Sequence, residues 1–196
     1  VVASERYDDG KMSFVDYDSR PGMARAMDHL AELGHRRIGY ASSLFMGDED
    51  TDHRDRREAY IDGLKRNSME FDERLILETT SSRQGGASAV DQFLTLENPP
   101  TAIIFANPPP AIGGIMRALK LGIDIPGKLS IVGYDNSDMR NSIHPSYSAI
   151  CQDAEKIGYM AANAVLDRIS SRKLPPARIV IPTFFEANET TGSPYR

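Results

Sequence analysis

The stretch TAIIFANPPPAIGGIMRALKLGIDIPGKLSIVGYD, residues 101–135, contains a complete strand–helix–strand unit. Its first run, residues 102–106, and its last, residues 130–134, are short, apolar and rich in residues that favour strands. Between them an apolar stripe recurs at helical spacing and ends at Gly122. The stripe consists of Ile112, Ile115, Met116 and Leu119. This order predicts two parallel strands joined by a helix that covers them.

Three consecutive prolines precede the helical part of this unit. A proline is tolerated in the first turn of a helix, because its missing N–H has no partner there and its ring holds φ near the helical value. Pro109 and Pro110 are therefore predicted to start the helix, and Pro108 to lie in the preceding turn. Since the residue before a proline favours extended backbone, Asn107 is expected to be extended at the carboxyl end of the strand.

The rest of the chain alternates in the same way between strand-like runs and amphipathic helical patterns. This alternation is typical of an α/β protein with parallel sheets flanked by helices. Further strands are predicted at residues 1–4, 14–17, 37–41, 75–79 and 179–181. Further helical stripes are Met23, Met27 and Leu30 before a Gly34 cap; Tyr60, Ile61 and Leu64; Ala87, Val90, Phe93 and Leu94; and Ile157, Met160, Ala161, Ala164 and Ile169 after an Asp153 cap.

Composition limits the functions that this chain can have. It has 196 residues, 40% of them hydrophobic, a net charge of −5 and a pI near 5.4. The chain is long enough to bury a core, and it lacks the basic surface that grips a nucleic-acid backbone. One cysteine, Cys151, excludes an internal disulfide framework and fits a reducing cytoplasm. The first ten residues do not resemble a signal peptide, and no apolar run is long enough to span a bilayer.

Two polar residues end the strands of the opening unit. Asn107 follows the first strand, and Asp135 follows the second. Ligands of open α/β sheets bind outside the carboxyl ends of the strands, so these two residues are expected to face one crevice. The alternative is that both only stabilise turns, as Asn and Asp commonly do. The spacing alone leaves both interpretations open.

A series of motifs gives the chain a family resemblance. They are GHRRIGY (34–40), RREAYIDGL (56–64), PPTAIIFAN with AIGGIMRAL (99–119), GIDIPGKLSIVGYD (122–135), HPSYSAICQD (144–153) and IPTFFEANETTG (181–192). In this order they resemble the effector-binding region of the LacI/GalR family of bacterial transcriptional regulators. The resemblance covers nearly the whole chain.

The resemblance implies a fold like that of periplasmic binding proteins, with two α/β lobes joined by three crossovers. Residues 1–34 and 153–172 would form the first lobe, which is expected to be incomplete, and residues 35–148 and 176–196 the second. Compared with the family, the DNA-binding headpiece is expected to be absent from this chain. Operator DNA would be bound through that headpiece, and homodimers would form partly through helices near residues 20–33 and 84–94.

The resemblance also implies ligand-binding residues in the cleft between the lobes. Arg56 matches the family arginine that binds ligand hydroxyls or a carboxylate, and Asp135 matches the aspartate that accepts hydrogen bonds from sugar hydroxyls. Asn107 matches the asparagine of an Asn-Asp pair. Phe45 is a candidate for stacking on a sugar face, and Asp52 for contacting either Arg56 or the ligand.

The sequence departs from the family pattern at two positions. Pro108 stands where relatives carry the aspartate of the Asn-Asp pair, which removes one acceptor from the expected cleft. Asn188 stands where relatives commonly carry arginine. The first departure suggests a less polar or differently oriented effector than a generic polyol, and the second has no interpretation from sequence.

Enzyme functions receive little support from the sequence. The four histidines, His29, His35, His53 and His144, show no metal-ligand spacing, and Cys151 has no activating base nearby in the sequence. No metal and no cofactor is therefore expected. Two binding functions remain, namely the effector domain of a LacI-type regulator that senses a sugar-like molecule, and the solute-binding component of an uptake system. The form of the GHRRIGY and IPGKLSIVGYD motifs favours the regulator.

Overall fold

The computed structural model describes residues 1–3, 11–43, 51–135, 143–171 and 174–195. Its strands are β1 (Val2–Ala3), β2 (Phe14–Asp18), β3 (Ile38–Ser43), β4 (Ile76–Thr79), β5 (Ala102–Phe105), β6 (Ser130–Asp135), β7 (Ser148–Cys151), β8 (Arg178–Pro182) and β9 (Phe184–Glu186). Its helices are α1 (Ser19–Glu32), α2 (Thr51–Arg66), α3 (Arg83–Leu94), α4 (Pro108–Lys120) and α5 (Ala154–Ser170). A short 3-10 helix (Glu73–Leu75) precedes β4.

Most of the described chain forms a six-stranded sheet in the order β4-β3-β5-β6-β7-β9. The first five strands pair in parallel, and β9 is antiparallel to β7. Successive residues of a strand face opposite sides, so Ile104 packs in the core with α1 and α2, whereas Ile103 packs in the core with α3 and α4. The sheet is therefore covered by two helices on each face.

A smaller sheet has the order β1-β2-β8, with all its strands parallel. Helix α5 packs against β1 and β2. The core between them holds Val15, Tyr17, Ile157 and Ile181. The α/β class and the parallel sheets flanked by helices are thus as the sequence predicts.

The chain crosses between the two sheets at three places. It leaves the small sheet after Asp18, returns between β7 and α5, and leaves again after Pro182. The first and last crossovers are tied together by Thr183, whose backbone N–H and hydroxyl both donate to the carbonyl of Asp18, at 3.0 and 2.8 Å. Thr183 Oγ1 also accepts from the N–H of Gly22 at 3.1 Å. The junction between the sheets is therefore hydrogen-bonded rather than a loose linker.

The lobe boundaries differ from those expected. Residues 1–34 were expected in the first lobe, but α1 buries its apolar stripe beside Ile38 and Tyr60 of the six-stranded sheet's core. Residues from 176 onward were expected in the second lobe, but β8 pairs with β2 in the small sheet. An apolar stripe shows that a helix covers a sheet, but it does not say which of two sheets the helix covers.

The predicted elements are largely present, with some differences. All seven predicted strands are present, whereas β7 and β9 were not predicted, because four and three residues carry too little periodicity. Helix α4 begins at Pro108, whereas the sequence predicted Pro108 in the preceding turn and the helix start at Pro109. Four stripe residues expected in the core are exposed, by 41% for Leu94, 56% for Met116, 45% for Leu119 and 73% for Ile169.

Glycines are required at two kinds of position, namely helix ends and close contacts between helices. Gly34 and Gly122 end helices with φ of 103° and 70°, a left-handed conformation that favours glycine. Gly113 lies against the backbone of Arg83, and Gly86 lies against that of Pro110, so a Cβ at either would collide with the facing helix. Gly113 thus allows close packing of α3 against α4, whereas Gly114 lies against the Phe105 ring of β5. Within the described ranges, no helix is long and apolar enough to cross a membrane.

Candidate ligand-binding site

The candidate site lies at the carboxyl edge of the six-stranded sheet. Strands β3, β5 and β6 are adjacent and parallel, so their carboxyl ends meet there. Asn107 follows β5 and Asp135 ends β6. Helix α2 follows β3 in the chain and brings Arg56 to this edge, where its guanidinium bonds the carbonyl of Ala106. The sequence thus brings its polar groups to one edge because parallel strands end together.

This edge faces the small sheet. The chain leaves β2 at its carboxyl end to enter α1, and it leaves β7 at its carboxyl end to enter α5. Both crossovers therefore connect carboxyl edges. In the register of the sheet, Asp135 lies beside Cys151, the last residue before the second of these crossovers. Polar groups at this edge consequently lie on the side from which the chain crosses to the small sheet.

Arg56 is buried and held from three sides. Only 8% of the residue is exposed. Its Nη1 donates to the carbonyl of Ala106 at 2.8 Å, and its Nη2 pairs with Asp52 Oδ2 at 3.3 Å, one helical turn away. The guanidinium carbon lies 4.4 Å from the centre of the Tyr134 ring, within the range of a cation–π contact. The side chain is therefore fixed before any ligand arrives.

Two buried tyrosines, Tyr134 and Tyr40, lie close enough to Arg56 to feel its charge. Burial raises the pKa of Tyr134 above its ordinary value, and burial raises the pKa of Tyr40 to about 12, although the positive charge of Arg56 opposes both shifts. Tyr40 stacks on Tyr60 with ring centres 5.0 Å apart. Because the pKa of each tyrosine is raised, both hydroxyls remain neutral at physiological pH. The two side chains therefore contribute packing surface here and no charge.

Several buried polar atoms at this edge lack a hydrogen bond. Among the described residues, no partner with hydrogen-bond geometry reaches Arg56 Nε, Asn107 Oδ1, or the hydroxyls of Tyr40 and Tyr134. Buried polar groups are normally paired, so a concentration of unpaired ones needs an explanation. Arg56 Nε–H can donate and Asn107 Oδ1 can accept. The edge therefore offers one donor and one acceptor to a partner outside the part of the chain that the structure describes.

The predicted site residues have different outcomes in the structure. Arg56 and Asp52 form an ion pair, which was one of the two roles expected for Asp52. Asn107 has extended backbone with φ −141° and ψ 151°, and its side chain makes no capping bond to α4. The backbone of Asp135 is adjacent to β7, but its side chain lies outside what the structure describes. Phe45 belongs to residues 44–50, which are also outside it. The ligand contacts of all five remain predictions.

Sequence reasoning missed Tyr134 as part of the site. The residue lies in the predicted strand and directly precedes Asp135, and its ring supports the Arg56 guanidinium. An aromatic residue at an inward position next to a site residue was the only available signal, and such a residue usually serves only the core. The pairing with Arg56 depends on the position of α2 relative to β6 in the folded chain, which no local pattern reports.

His53 lies at this edge, because its partner Ser42 stands near the carboxyl end of β3, whereas the other histidines lie away from it. His35 is fully buried and contacts Thr101 Oγ1, Ser130 Oγ and the carbonyl of Gly192. His53 bonds Ser42, and His144 lies 3.4 Å from Glu189. Within the described ranges, no group of three or more His, Cys, Asp or Glu could hold a metal ion.

Asn188 has a structural contact that the sequence did not suggest. Its Nδ2 donates to the carbonyl of Tyr147, and its backbone N–H donates to Ser148 Oγ at 2.8 Å. It therefore fixes the C-terminal segment beside the start of β7, at the edge of the sheet opposite to the candidate site.

Comparison with known proteins identifies relatives over most of the chain. The family model of a periplasmic binding protein-like domain matches residues 27–191. The chain is 29% identical over 174 residues to the HTH-type transcriptional repressor CytR of Escherichia coli (strain K12), covering 88% of this chain and 50% of that protein. It is 29% identical over 169 residues to the HTH-type transcriptional repressor PurR of Yersinia pestis bv. Antiqua, covering 86% and 49%. The chain spans about half the length of these curated relatives.

Solved structures agree on the fold. A LacI family transcriptional regulator from Enterococcus faecium, with bound ribose, superposes with a TM-score of 0.87 at 26% identity, covering 97% of this chain and 70% of that chain. A LacI transcriptional regulator from Rhodococcus species gives a TM-score of 0.84 at 26% identity, covering 98% and 70%. The expectation of a periplasmic-binding-protein-like fold is confirmed.

Proposed function

The chain belongs to the periplasmic binding protein-like domain family in its LacI-type form, and we propose that it is the ligand-sensing part of a bacterial transcriptional regulator. In this proposal a small effector binds in the cleft between the lobes, at Arg56, Asn107 and Asp135, with Asp52 holding Arg56 and Phe45 stacking on an apolar face of the ligand. The observation that carries the proposal is the group of unpaired buried polar atoms at the edge that faces the small sheet.

The geometry supports recognition of a neutral hydroxylated molecule such as a sugar. A hydroxyl group both donates and accepts, so one hydroxyl can satisfy Asn107 Oδ1 while another accepts from Arg56 Nε. The charge of Arg56 is already paired with Asp52, so the ligand need not be an anion. The Enterococcus faecium neighbour holds ribose, which supports a sugar-like effector here.

Signalling follows from the two-lobed arrangement. An effector that contacts both lobes binds the closed arrangement more tightly than the open one, and it therefore shifts the population towards closure. The three crossovers form the hinge, and we place the lobe boundary at Asp18, between Cys151 and Asp153, and at Pro182. Closure would change how DNA-binding segments outside this chain are held, and so control operator binding in the cytoplasm.

Homodimer formation is part of the proposal. Helices α3 and α4 border a surface groove of about 470 Å³, lined by Arg83, Gln84, Asp91, Met116, Arg117 and Lys120 among others. The side chains of Met116 and Leu119 are exposed on α4, one of the two helices that border this groove. Exposed apolar side chains beside a groove are typical of a surface that binds a protein, so this face supports contact with a second copy.

The alternative of a solute-binding protein of an uptake system is not favoured, because the curated relatives are transcriptional repressors. For the same reason we propose a binding role without catalysis.

The proposal is tested first by a thermal-shift screen of the chain against sugars, sugar phosphates, polyols, nucleobases and small acids. A ligand that binds only the folded state, and is present at a concentration of a hundred times its Kd, adds about 2.7 kcal/mol to the free energy of unfolding. A sugar-like hit supports the proposal, whereas the absence of any hit over the whole panel contradicts it.

Arg56→Ala tests the site itself. We expect the Kd for a hit to rise by about tenfold or more, because a charge-assisted hydrogen bond to the ligand is lost. The free energy of unfolding should fall by only about 1–2 kcal/mol, since the packed stem and the bond to Ala106 are lost as well. Isothermal titration and urea unfolding measure the two quantities. The matched control is Arg57→Ala, the exposed neighbour on the same helix, which should change neither; equal Kd values for both variants would exclude Arg56 from the site.

A further inference from the structure

The tip of helix α4 points to the candidate site with an unusual first turn. Pro108, Pro109 and Pro110 are its first three residues, and Asn107 is its N-cap. The N-terminus of a helix normally presents its first four backbone N–H groups, which together with the helix dipole attract anions. A proline has no N–H, so three of these four donors do not exist in α4.

The next donor in the helix is also used. The N–H of Ala111 bonds the carbonyl of Asn107 at 3.3 Å. Of the four terminal N–H groups only that of Asn107 itself remains. The tip of α4 therefore has almost no capacity to bind a phosphate or a carboxylate through its backbone.

Helices α3 and α5 show the usual arrangement at their N-termini. Helix α3 directs the N–H of Gly85 to the Ser82 hydroxyl at 3.0 Å, and helix α5 directs the N–H of Lys156 to Asp153 at 2.9 Å. Both satisfy a terminal donor with an acceptor side chain. In α4 the corresponding side-chain oxygen, Asn107 Oδ1, has no N–H of the first turn to accept from and has no partner among the residues that the structure describes.

What the tip offers instead is apolar surface beside unpaired polar atoms. Pro108 is half-buried and Pro109 is exposed, while Pro110 is packed against Gly86 of α3. Arg56 is bonded to Ala106, the residue before Asn107, and its side chain is 10% exposed with Nε unpaired. Thus one nine-tenths-buried side chain independently marks this place as one that receives a ligand.

We propose that the three prolines are specificity-determining residues, which make the α4 side of the cleft select a neutral ligand. The selected ligand has an apolar ring face towards Pro108 and Pro109, gives an O–H or N–H hydrogen to Asn107 Oδ1, and carries no phosphate or carboxylate at this end. A free sugar or a similar unphosphorylated ring compound has this chemistry, and its phosphate ester at the same end does not. The inference rests on the proposed function, whose ligand class it narrows.

The test restores the missing donors. The double variant Pro108→Ala/Pro109→Ala regains two backbone N–H groups at positions that are half-buried or exposed, so little packing is lost. Inorganic phosphate is the probe, titrated by NMR into wild-type chain and variant. We expect phosphate to bind the variant about tenfold more tightly than the wild type, the value of one charge-assisted hydrogen bond. Pro99→Ala, an exposed proline before β5, is the control and should bind phosphate as the wild type does.

The second measurement uses the effector screen. Each neutral sugar that binds is compared with its phosphate ester, and we expect the ester to bind wild-type chain at least about tenfold more weakly. An ester that binds as well as its parent, or a double variant without gain in phosphate affinity, overturns the inference. If circular dichroism shows that the double variant does not fold, Pro109→Ala alone replaces it. A screen without any hit contradicts the proposed function, while the phosphate titration still decides the role of the prolines.

Discussion

The two edges of the six-stranded sheet differ in how completely their buried polar groups are hydrogen-bonded. At the amino edge, the His35 ring contacts Thr101, Ser130 and the carbonyl of Gly192. Beside it the hydroxyl of Thr190, which is fully buried, accepts from the N–H of Ser148 and donates to the carbonyl of Ile131. These contacts hold the C-terminal segment against the sheet, and every group named here has a partner.

At the carboxyl edge polar atoms are also buried, but they are incompletely paired. Arg56 Nε, Asn107 Oδ1 and the Tyr134 hydroxyl have no hydrogen bond within the described part of the chain. A buried hydrogen-bond network in which every group is paired stabilises the fold, whereas buried polar groups without partners destabilise it. The difference teaches that the amino edge maintains the fold, whereas the carboxyl edge leaves hydrogen-bonding capacity unused within the described chain, as the proposed ligand site requires.

The largest effect is expected from Thr190→Val, which removes a hydroxyl from the amino edge with little change of shape. The variant leaves the Ser148 N–H and the Ile131 carbonyl without this partner, so we expect the free energy of unfolding to fall by about 2–4 kcal/mol. Urea unfolding measures it. The control is Thr95→Val, an exposed threonine whose hydroxyl bonds Gln92. Similar small losses for both variants would show that the amino-edge network does not stabilise the fold.

A smaller effect is expected from pH. Burial lowers the pKa of His35 below its ordinary value of 6.5, and burial together with the charge of Arg25 lowers the pKa of His29. A folded pKa below the unfolded one means that the unfolded chain binds more protons in acid. The stabilising contribution is therefore complete above pH 6.5, and it is lost as the pH falls below that value.

Urea unfolding at several pH values between about 7.5 and 5.5 measures this loss, which spans the region where histidine titrates. In His35→Gln the dependence on pH should be weaker than in wild type. His144→Gln removes an exposed histidine, with 89% of its side chain accessible, and serves as the control. A pH dependence that is unchanged in His35→Gln would refute the assignment to His35.

The smallest effect is expected from Tyr134→Phe at the carboxyl edge. Among the described residues no partner meets hydrogen-bond geometry with this buried hydroxyl, although the Ser19 hydroxyl lies close to it. Its removal keeps the ring under Arg56, so the free energy of unfolding should stay the same or rise by about 1 kcal/mol. The same urea assay measures this. A loss as large as that of Thr190→Val would mean that both edges are equally well paired, and the comparison would fail.

The sequence was most informative where local rules act. Gly34 and Gly122 end helices because few other residues adopt positive φ, and Asp153 caps α5 through the Lys156 N–H. The prediction that Asn107 is extended is confirmed, since a following proline restricts its backbone. The βαβ pattern also predicted that Asn107 and Asp135 lie at the carboxyl ends of adjacent parallel strands.

The sequence was least informative about contacts between distant elements. It assigned α1 and β8 to the wrong lobes, because the choice of sheet depends on packing that no local pattern reports. It expected Ile169 in the core, although only part of the apolar stripe of α5 meets the small sheet. It gave no role to Tyr134 or Asn188, both of which act through partners from other parts of the chain.

By itself the sequence determined the α/β class, the family, and the residue types available at the ends of the strands, because backbone sterics and hydrophobic period are properties of neighbouring residues. Only the tertiary structure decided which of those residues are paired. Whether a buried donor or acceptor finds a partner depends on the position of elements far away in the chain, as for Arg56 between Asp52, Ala106 and Tyr134. The distinction between the edge that stabilises the fold and the edge that is proposed to bind a ligand is therefore a property of the folded chain.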